Sequence, residues 1–323
     1  MDAVVSNSRD MIRKGSRSFA LASRLFDSTT REHAWMLYAW CRHCDDEIDG
    51  QELGMQPVTQ PPHDRLQDQR ARLAKLLTET HRALAGGAVS DPAFVAFQRV
   101  AREHSIPVGH ALEFLAGFEM DVADFKYRTL DETLLYCYRV AGVVGVMMAL
   151  VMGVRDTGGL QRAADLGIAF QLTNISRDVL DDARLGRCYL PAEWLAEARV
   201  PEAEVARPEH RHAVAAVVGR LLTEADRYYE SSLAGLPSLT FRSGWAVATA
   251  LGVYRDIGRI VRARGSQAWD TRAVVGPRRK MLSVSSGICR ALKAATVDRL
   301  GKAAPRADDL WVSPDLKSTD WAQ

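Results

Sequence analysis

The sequence predicts an all-α protein. Three observations lead there. Apolar residues recur at helical spacing along almost the whole chain, no stretch alternates with period two between hairpin turns, and two clusters of acidic residues each continue an apolar helical stretch. Trp35, Leu37, Tyr38, Trp40 and Cys41 run directly into the first cluster. Leu112, Leu115, Phe118 and Met120 mark a further helix. Leu134 to Met152 is apolar on most sides and rich in small residues, as a buried helix is. Leu166, Ala169, Phe170, Leu172, Thr173 and Ile175 lead into the second cluster. Val214, Val217, Val218, Leu221 and Leu222 form an amphipathic stretch, and Ala246 to Ile260 another.

Loops are expected where Gly and Pro gather: Gly50 to Asp64, Gly86-Gly87, Leu185 to Pro201, and Ser232 to Ser243. None has the length or composition of a flexible linker. One helical domain spanning 1–323 is therefore expected, with a loosely ordered tail from about residue 300. A chain of 323 residues is long enough to bury a large core without staples. Lys and Arg number 42 against 40 Asp and Glu, a net charge of +2. That balance excludes a strongly basic nucleic-acid binder and an acidic disordered chain, so no nucleic-acid partner is expected.

The five cysteines, Cys41, Cys44, Cys137, Cys188 and Cys289, are odd in number and suggest no disulfide framework. Cys41 and Cys44 form a C-x-x-C without a second pair to complete a zinc site, and are read as helix-packing residues. The N-terminal residues carry charges throughout and no apolar signal region. The longest apolar run, Val140 to Val154, is shorter than a membrane-spanning helix requires. A cytoplasmic location is expected.

The first acidic cluster reads Arg42-His43-Cys44-Asp45-Asp46-Glu47-Ile48-Asp49. Residues four apart share a helix face, so Asp45 and Asp49 point the same way, with Arg42 and Tyr38 further back on that side. In the second, Asn174, Asp178 and Asp182 form one stripe that Gln171 extends, flanked by Arg177. Like charges one turn apart repel, so two such clusters on apolar helices call for a compensating cation. Carboxylates with an amide oxygen, and no His or Cys at matching positions, are hard ligands suited to Mg²⁺, with Mn²⁺ as the alternative. Facing each other, the two helices could hold ions that bind a diphosphate, with Arg42 and Arg177 close by.

These motifs resemble those of the squalene and phytoene synthase family, the head-to-head prenyl synthases. The likeness rests on both aspartate clusters, on Gln171 to Asp178 followed by Gly186-Arg187-Cys188-Tyr189-Leu190-Pro191, on Tyr136 to Gly145, and on Ser16-Arg17-Ser18-Phe19. It runs from about Ser16 to about Trp269 and is strongest to the bacterial phytoene-forming branch. The resemblance implies the isoprenoid-synthase fold, a helical bundle around a central cavity. It implies Mg²⁺-dependent coupling of two geranylgeranyl diphosphates through prephytoene diphosphate to phytoene, the first committed step of carotenoid biosynthesis, without NADPH. The alternative is a C30 dehydrosqualene or squalene synthase acting on farnesyl diphosphate.

The resemblance also assigns residues. Asp45, Asp49, Asp178 and Asp182, with Asn174, match the metal-binding motifs. Arg42, Tyr38, Gln171 and Arg177 match positions that contact diphosphate or support the metals. Ser16, Arg17 and Ser18 match a substrate-contacting segment, with Phe19 flanking the cavity. Tyr254 matches an active-site tyrosine, and Arg272 a late phosphate-binding arginine across an insertion. Tyr136 and Val140 are expected to line the cavity, whose neighbouring glycines would let polyprenyl chains approach the helix backbone. Asp46 and Asp181 are expected to support rather than ligate.

The segment from Thr271 to Gln323 matches weakly, and Pro277-Arg278-Arg279-Lys280 could touch an anionic membrane or form a solvated loop, of which the loop is the expected reading. Lipid substrates are compatible with peripheral contact at the inner membrane. A terpene cyclase is disfavoured by the Ser16 to Phe19 and Gln171 to Pro191 motifs, and a helical scaffold by the retained carboxylates. Oligomeric state is not legible.

Overall fold

A computed structural model describes residues 2–50, 62–299, 301 and 304–312, with side chains for all of these except 17, 18 and 62–66. Among the described residues no strand occurs. The first three helices are α1 (Ala3–Gly15), α2 (Arg17–Ser23) and α3 (Ser28–Asp49). Ser16 starts α2 and Asp27 starts α3, each side chain accepting a backbone N–H of the first turn. Then come α4 (Pro62–Leu84), α5 (Pro92–His104) and α6 (Val108–Val122). The loop expected from Gly50 to Asp64 lies outside the described residues at 51–61, and its last residues already belong to α4.

The long apolar helix is α7 (Leu130–Cys137) and α8 (Val143–Val151), joined without a break by a π-helical turn, Tyr138–Gly142. By length and apolarity Leu130–Val151 could cross a bilayer, and 61% of its most apolar window is buried inside the protein. Counting only from Val140 missed this, because the helix starts ten residues earlier. It packs on α9 (Thr157–Arg184), the helix of the second acidic cluster. The contact is backbone to backbone. A Cβ on Gly145 would stand 2.4 Å from the Ala163 carbonyl oxygen, and one on Gly167 2.2 Å from that of Ala141. Gly145, read from sequence as room for substrate chains, is required first by helix packing, as is Gly167.

The expected loop from Leu185 to Pro201 contains a short helix, α10 (Ala192–Glu197). The chain then forms α11 (Arg211–Leu233), α12 (Phe241–Arg264) and α13 (Pro277–Lys293). Pro277 to Lys280 is the first turn of α13 rather than a loop, since proline suits a position whose N–H needs no helical partner. One continuous core runs from Val5 to Leu310. Within it the buried rings of Trp40 and Phe97 stack with centroids 3.9 Å apart. Residues 304–312 of the expected loose tail are fastened to the bundle. Arg306 donates two hydrogen bonds from Nε and one from Nη2 to the buried carboxylate of Asp165 on α9, at 2.8–3.2 Å.

Candidate active site

A cavity of about 450 Å³ lies between α2, α3, α6, α8, α9 and α12. Its deep part is apolar, with Phe26, Phe114, Met148, Met152, Leu166 and Phe170 on the wall. Tyr136 and Val140 line it as expected, followed by Val144, Met148 and Met152 at four-residue steps. Four residues overshoot a 3.6-residue turn, so such a stripe drifts round a regular α-helix. The π turn at Tyr138–Gly142 is wider than an α turn and counters that drift.

The polar end is built from the two acidic helices. Asp45 and Asp49 line the cavity from α3, and Gln171 and Asn174 from α9. Asp178 and Asp182 continue the Asn174 stripe one and two turns on, beyond the cavity lining itself. Asp45 faces the cavity, with 46% of its side chain accessible and protein packed around the rest. This burial, with Asp49 and Asp46 adding repulsion, pushes its carboxyl up to about 7 against the pull of Arg42. Burial and the Asp178 charge push Asp182 up to about 7 as well.

Both acidic clusters have guanidiniums beside them. Arg42 reaches Asp45 at 3.0 Å and Asp46 at 2.6 Å, so Asp46 is held by the arginine. Arg177 pairs with the adjacent Asp178 through both carboxylate oxygens. Arg272 also reaches Asp178, at 3.3 Å, from a segment pinned to α9 by the Trp269 indole on the Ser176 carbonyl. Asp181 turns outward and pairs with Arg184.

Two further groups were not singled out from sequence. Arg187, in the turn after α9, donates to Asp49 on α3 at 2.8 Å. Asp121, at the end of α6, accepts from the hydroxyls of Tyr136 at 3.1 Å and Tyr189 at 2.9 Å. Burial pushes its carboxyl up to about 6, although Arg187 and the two hydroxyls favour the charge. Arg187 and Tyr189 stood inside a quoted motif, but the role of Asp121 depends on groups brought to it from α7 and from the turn after α9.

Tyr254 on α12 lines the cavity, stacks on Phe170 at 4.2 Å and hydrogen-bonds Ser16. Burial raises its hydroxyl, which stays protonated. Tyr38 lines the cavity next to Phe19, with centroids 5.6 Å apart. The side chains of Arg17 and Ser18 lie outside the described set. Cys41 borders the cavity and Cys44 is buried, and burial pushes both thiols upward, so they stay protonated and pack.

The donors fit divalent metal ions. The buried Oδ1 of Asn174 has no hydrogen-bond partner, and its Nδ2 is held by Gln171 at 3.3 Å, which leaves that oxygen available as a ligand. The surplus of carboxylates with raised proton affinity is a second sign, because a divalent cation would relieve it. Asp45, Asp49, Asn174, Asp178 and Asp182 supply oxygen donors only, the chemistry of Mg²⁺ or Mn²⁺. Together the site offers metal ligands and guanidiniums at one end and an apolar chamber at the other. That combination can hold a diphosphate and shelter a long hydrocarbon chain.

A model of squalene/phytoene synthases matches residues 12–280. A 15-cis-phytoene synthase of Enterobacter agglomerans is 51% identical over 93% of this chain and 99% of its own. Another 15-cis-phytoene synthase, from Pantoea ananas, is 50% identical over 93% of this chain and 94% of its own. Among solved structures, a dehydrosqualene synthase in complex with ligand superposes with a TM-score of 0.78 at 28% identity, covering 90% of this chain and 97% of that one. A squalene synthase of Alicyclobacillus acidocaldarius gives 0.69 at 21% identity, over 81% and 94% of the two chains, a likeness of fold.

Proposed function

The chain belongs to the squalene/phytoene synthase family, and on that premise we propose that it couples two molecules of geranylgeranyl diphosphate head to head into phytoene. It is a prenyltransferase of the phytoene synthase type, with the isoprenoid-synthase helical fold. The observation that carries the substrate reading is the polarity of one cavity. Carboxylates of α3 and an amide of α9 face its polar end, and aromatic and aliphatic side chains line the rest.

Mg²⁺, held by Asp45, Asp49, Asn174, Asp178 and Asp182, would neutralise the charge that develops on a departing diphosphate. Arg42, Arg177, Arg187 and Arg272 stand beside those carboxylates and add fixed positive charge at the same end. Departure of diphosphate from one substrate leaves an allylic cation in the chamber. Phe26, Phe114, Phe118 and Phe170 exclude water there, so the double bond of the second substrate is the available nucleophile. Proton loss closes the cyclopropane of prephytoene diphosphate. A second ionisation, rearrangement and proton loss give the hydrocarbon, with no external hydride consumed.

Product analysis tests this. Purified protein is incubated with geranylgeranyl diphosphate or, separately, farnesyl diphosphate, with Mg²⁺ and without NADPH, beside an EDTA control. A C40 hydrocarbon from the longer substrate, absent with EDTA, is expected. A C30 product from the shorter substrate alone would move the chain to the dehydrosqualene branch. No coupled product with either, NADPH included, would refute the reading.

A further inference from the structure

Helix α13 has its sides reversed relative to a surface helix of a water-soluble protein. Its inward face is made of small residues, the buried Ser283, Gly287 and Ala291. They let it lie close on α12. A Cβ on Gly287 would stand 2.6 Å from Thr249 Oγ1, and the Trp245 indole donates to the Val284 carbonyl at 2.9 Å. The large apolar side chains point outward. Met281 is 69% exposed, Leu282 68% and Leu292 50%, with Val297 just beyond at 63%. Burial of such side chains normally drives helix docking, so an outward stripe signals a second apolar phase.

The charges agree. Arg278, Arg279, Lys280, Arg290 and Lys293 lie on α13, which contains no Asp or Glu. The acid nearest in sequence is Asp298, 3.6 Å from Lys293. Three of the cations sit in the first turn, where the helix dipole is already positive and disfavours them, so nothing within the helix accounts for them.

We propose that the outward face of α13 docks on an anionic lipid bilayer, Met281, Leu282 and Leu292 entering the acyl boundary and the flanking cations contacting headgroups. An amphipathic helix with a basic polar fringe binds in the interface plane in this way. Each Lys or Arg near such a surface adds about 1 kcal/mol of attraction, roughly fivefold in partitioning. A second copy of the chain fits less well, because a two-fold contact through this face would set cations against cations. Helix α12 carries α13 on one side and presents Ala246, Val247 and Ala250 to the cavity on another, so the docked face is one helix away from the chamber.

The test is co-sedimentation of the full chain with vesicles of phosphatidylcholine alone or mixed with phosphatidylglycerol. Two variants are compared at matched melting temperature: Met281→Ser/Leu282→Ser/Leu292→Ser and Arg278→Glu/Arg279→Glu. Both alter exposed positions outside the catalytic machinery. Binding to the anionic vesicles is expected, weakened by salt and lowered about tenfold or more in each variant. Absence of binding at low salt would overturn the proposal, as would unchanged binding in both variants. So would a wild-type dimer that the triple-serine variant dissolves while no form binds vesicles. The assay reads no turnover, so its outcome is independent of the coupling reaction.

Discussion

Arg187 Nη2 lies 2.8 Å from Asp49 Oδ1, joining the turn after α9 to the last turn of α3. The guanidinium also feels Tyr189 and Asp121, and these neighbours together hold it charged despite its burial. It therefore ties both acid-bearing helices together at the polar end of the cavity. Arg187→Gln is expected to lower kcat/KM by roughly 10²–10³, the scale of losing one preorganised charge at a developing anion. Arg187→Lys should lose less, about tenfold, keeping the charge without the planar fork. Steady-state rates with geranylgeranyl diphosphate at saturating Mg²⁺ check both, and a wild-type rate in Arg187→Gln would exclude it from diphosphate handling.

Asp49→Asn and Asp178→Asn keep side-chain shape and remove one charge each. Turnover should fall by about 10³ or more in either, with the circular dichroism spectrum and melting temperature close to wild type. Near-normal rates at saturating Mg²⁺ would take the altered residue out of the metal-ligand set.

The raised carboxyls of Asp45 and Asp182, both about 7, give a pH dependence of definite sign. Unfolded Asp titrates near 4, so the folded metal-free protein holds protons that the unfolded chain releases. The contribution of these two carboxyls to the stability of the metal-free form is thus fully present below about pH 4, is lost toward about pH 7 and is absent above it. Metal binding needs the ionised carboxylates, so apparent Mg²⁺ affinity should climb to about pH 7 and then flatten. Calorimetry should find a larger Mg²⁺-induced rise in melting temperature at about pH 8 than at about pH 6. A rise of equal size at both would contradict the assignment.

Arg306 is the partner of a carboxylate that is 1% exposed, Asp165. Removing it takes away the guanidinium bonded directly to that buried charge and leaves Ser231 Oγ as its hydrogen-bond donor. Arg306→Ala should destabilise by about 3–5 kcal/mol in denaturant titration, and Arg306→Met combined with Asp165→Leu should recover most of the loss. An Arg306→Ala midpoint equal to wild type would mean that residues 304–312 are not held by this pair.

The helical class, the long buried helix and both acidic stripes were legible because each is written in local periodicity. Asp45 to Asp49 and Asn174 to Asp182 keep one helix face whatever the tertiary fold. The C-terminal third was less legible. The outward apolar residues of α13 sit where an amphipathic reading expects inward ones, and Pro277 to Lys280 carries enough charge to resemble a loop. The span Leu130–Val151 was underestimated because Asp131, Glu132 and Arg139 interrupt its apolar count without interrupting its helix.

Sequence alone determined which residues can ligand a metal and which helices carry them, since a four-residue spacing fixes a shared face. Only the tertiary structure decided what stands opposite that face. Arg187 meets Asp49 across 138 positions of chain, Arg306 meets Asp165 across 141, and Asp121 gathers hydroxyls from Tyr136 and Tyr189. Such pairs depend on how helices cross, and the crossing is set by close contacts such as Gly145 on Ala163 that local patterning does not encode. The proton affinity of Asp45 and Asp182 follows from the same cause, because burial and neighbouring charge exist only once the bundle has closed.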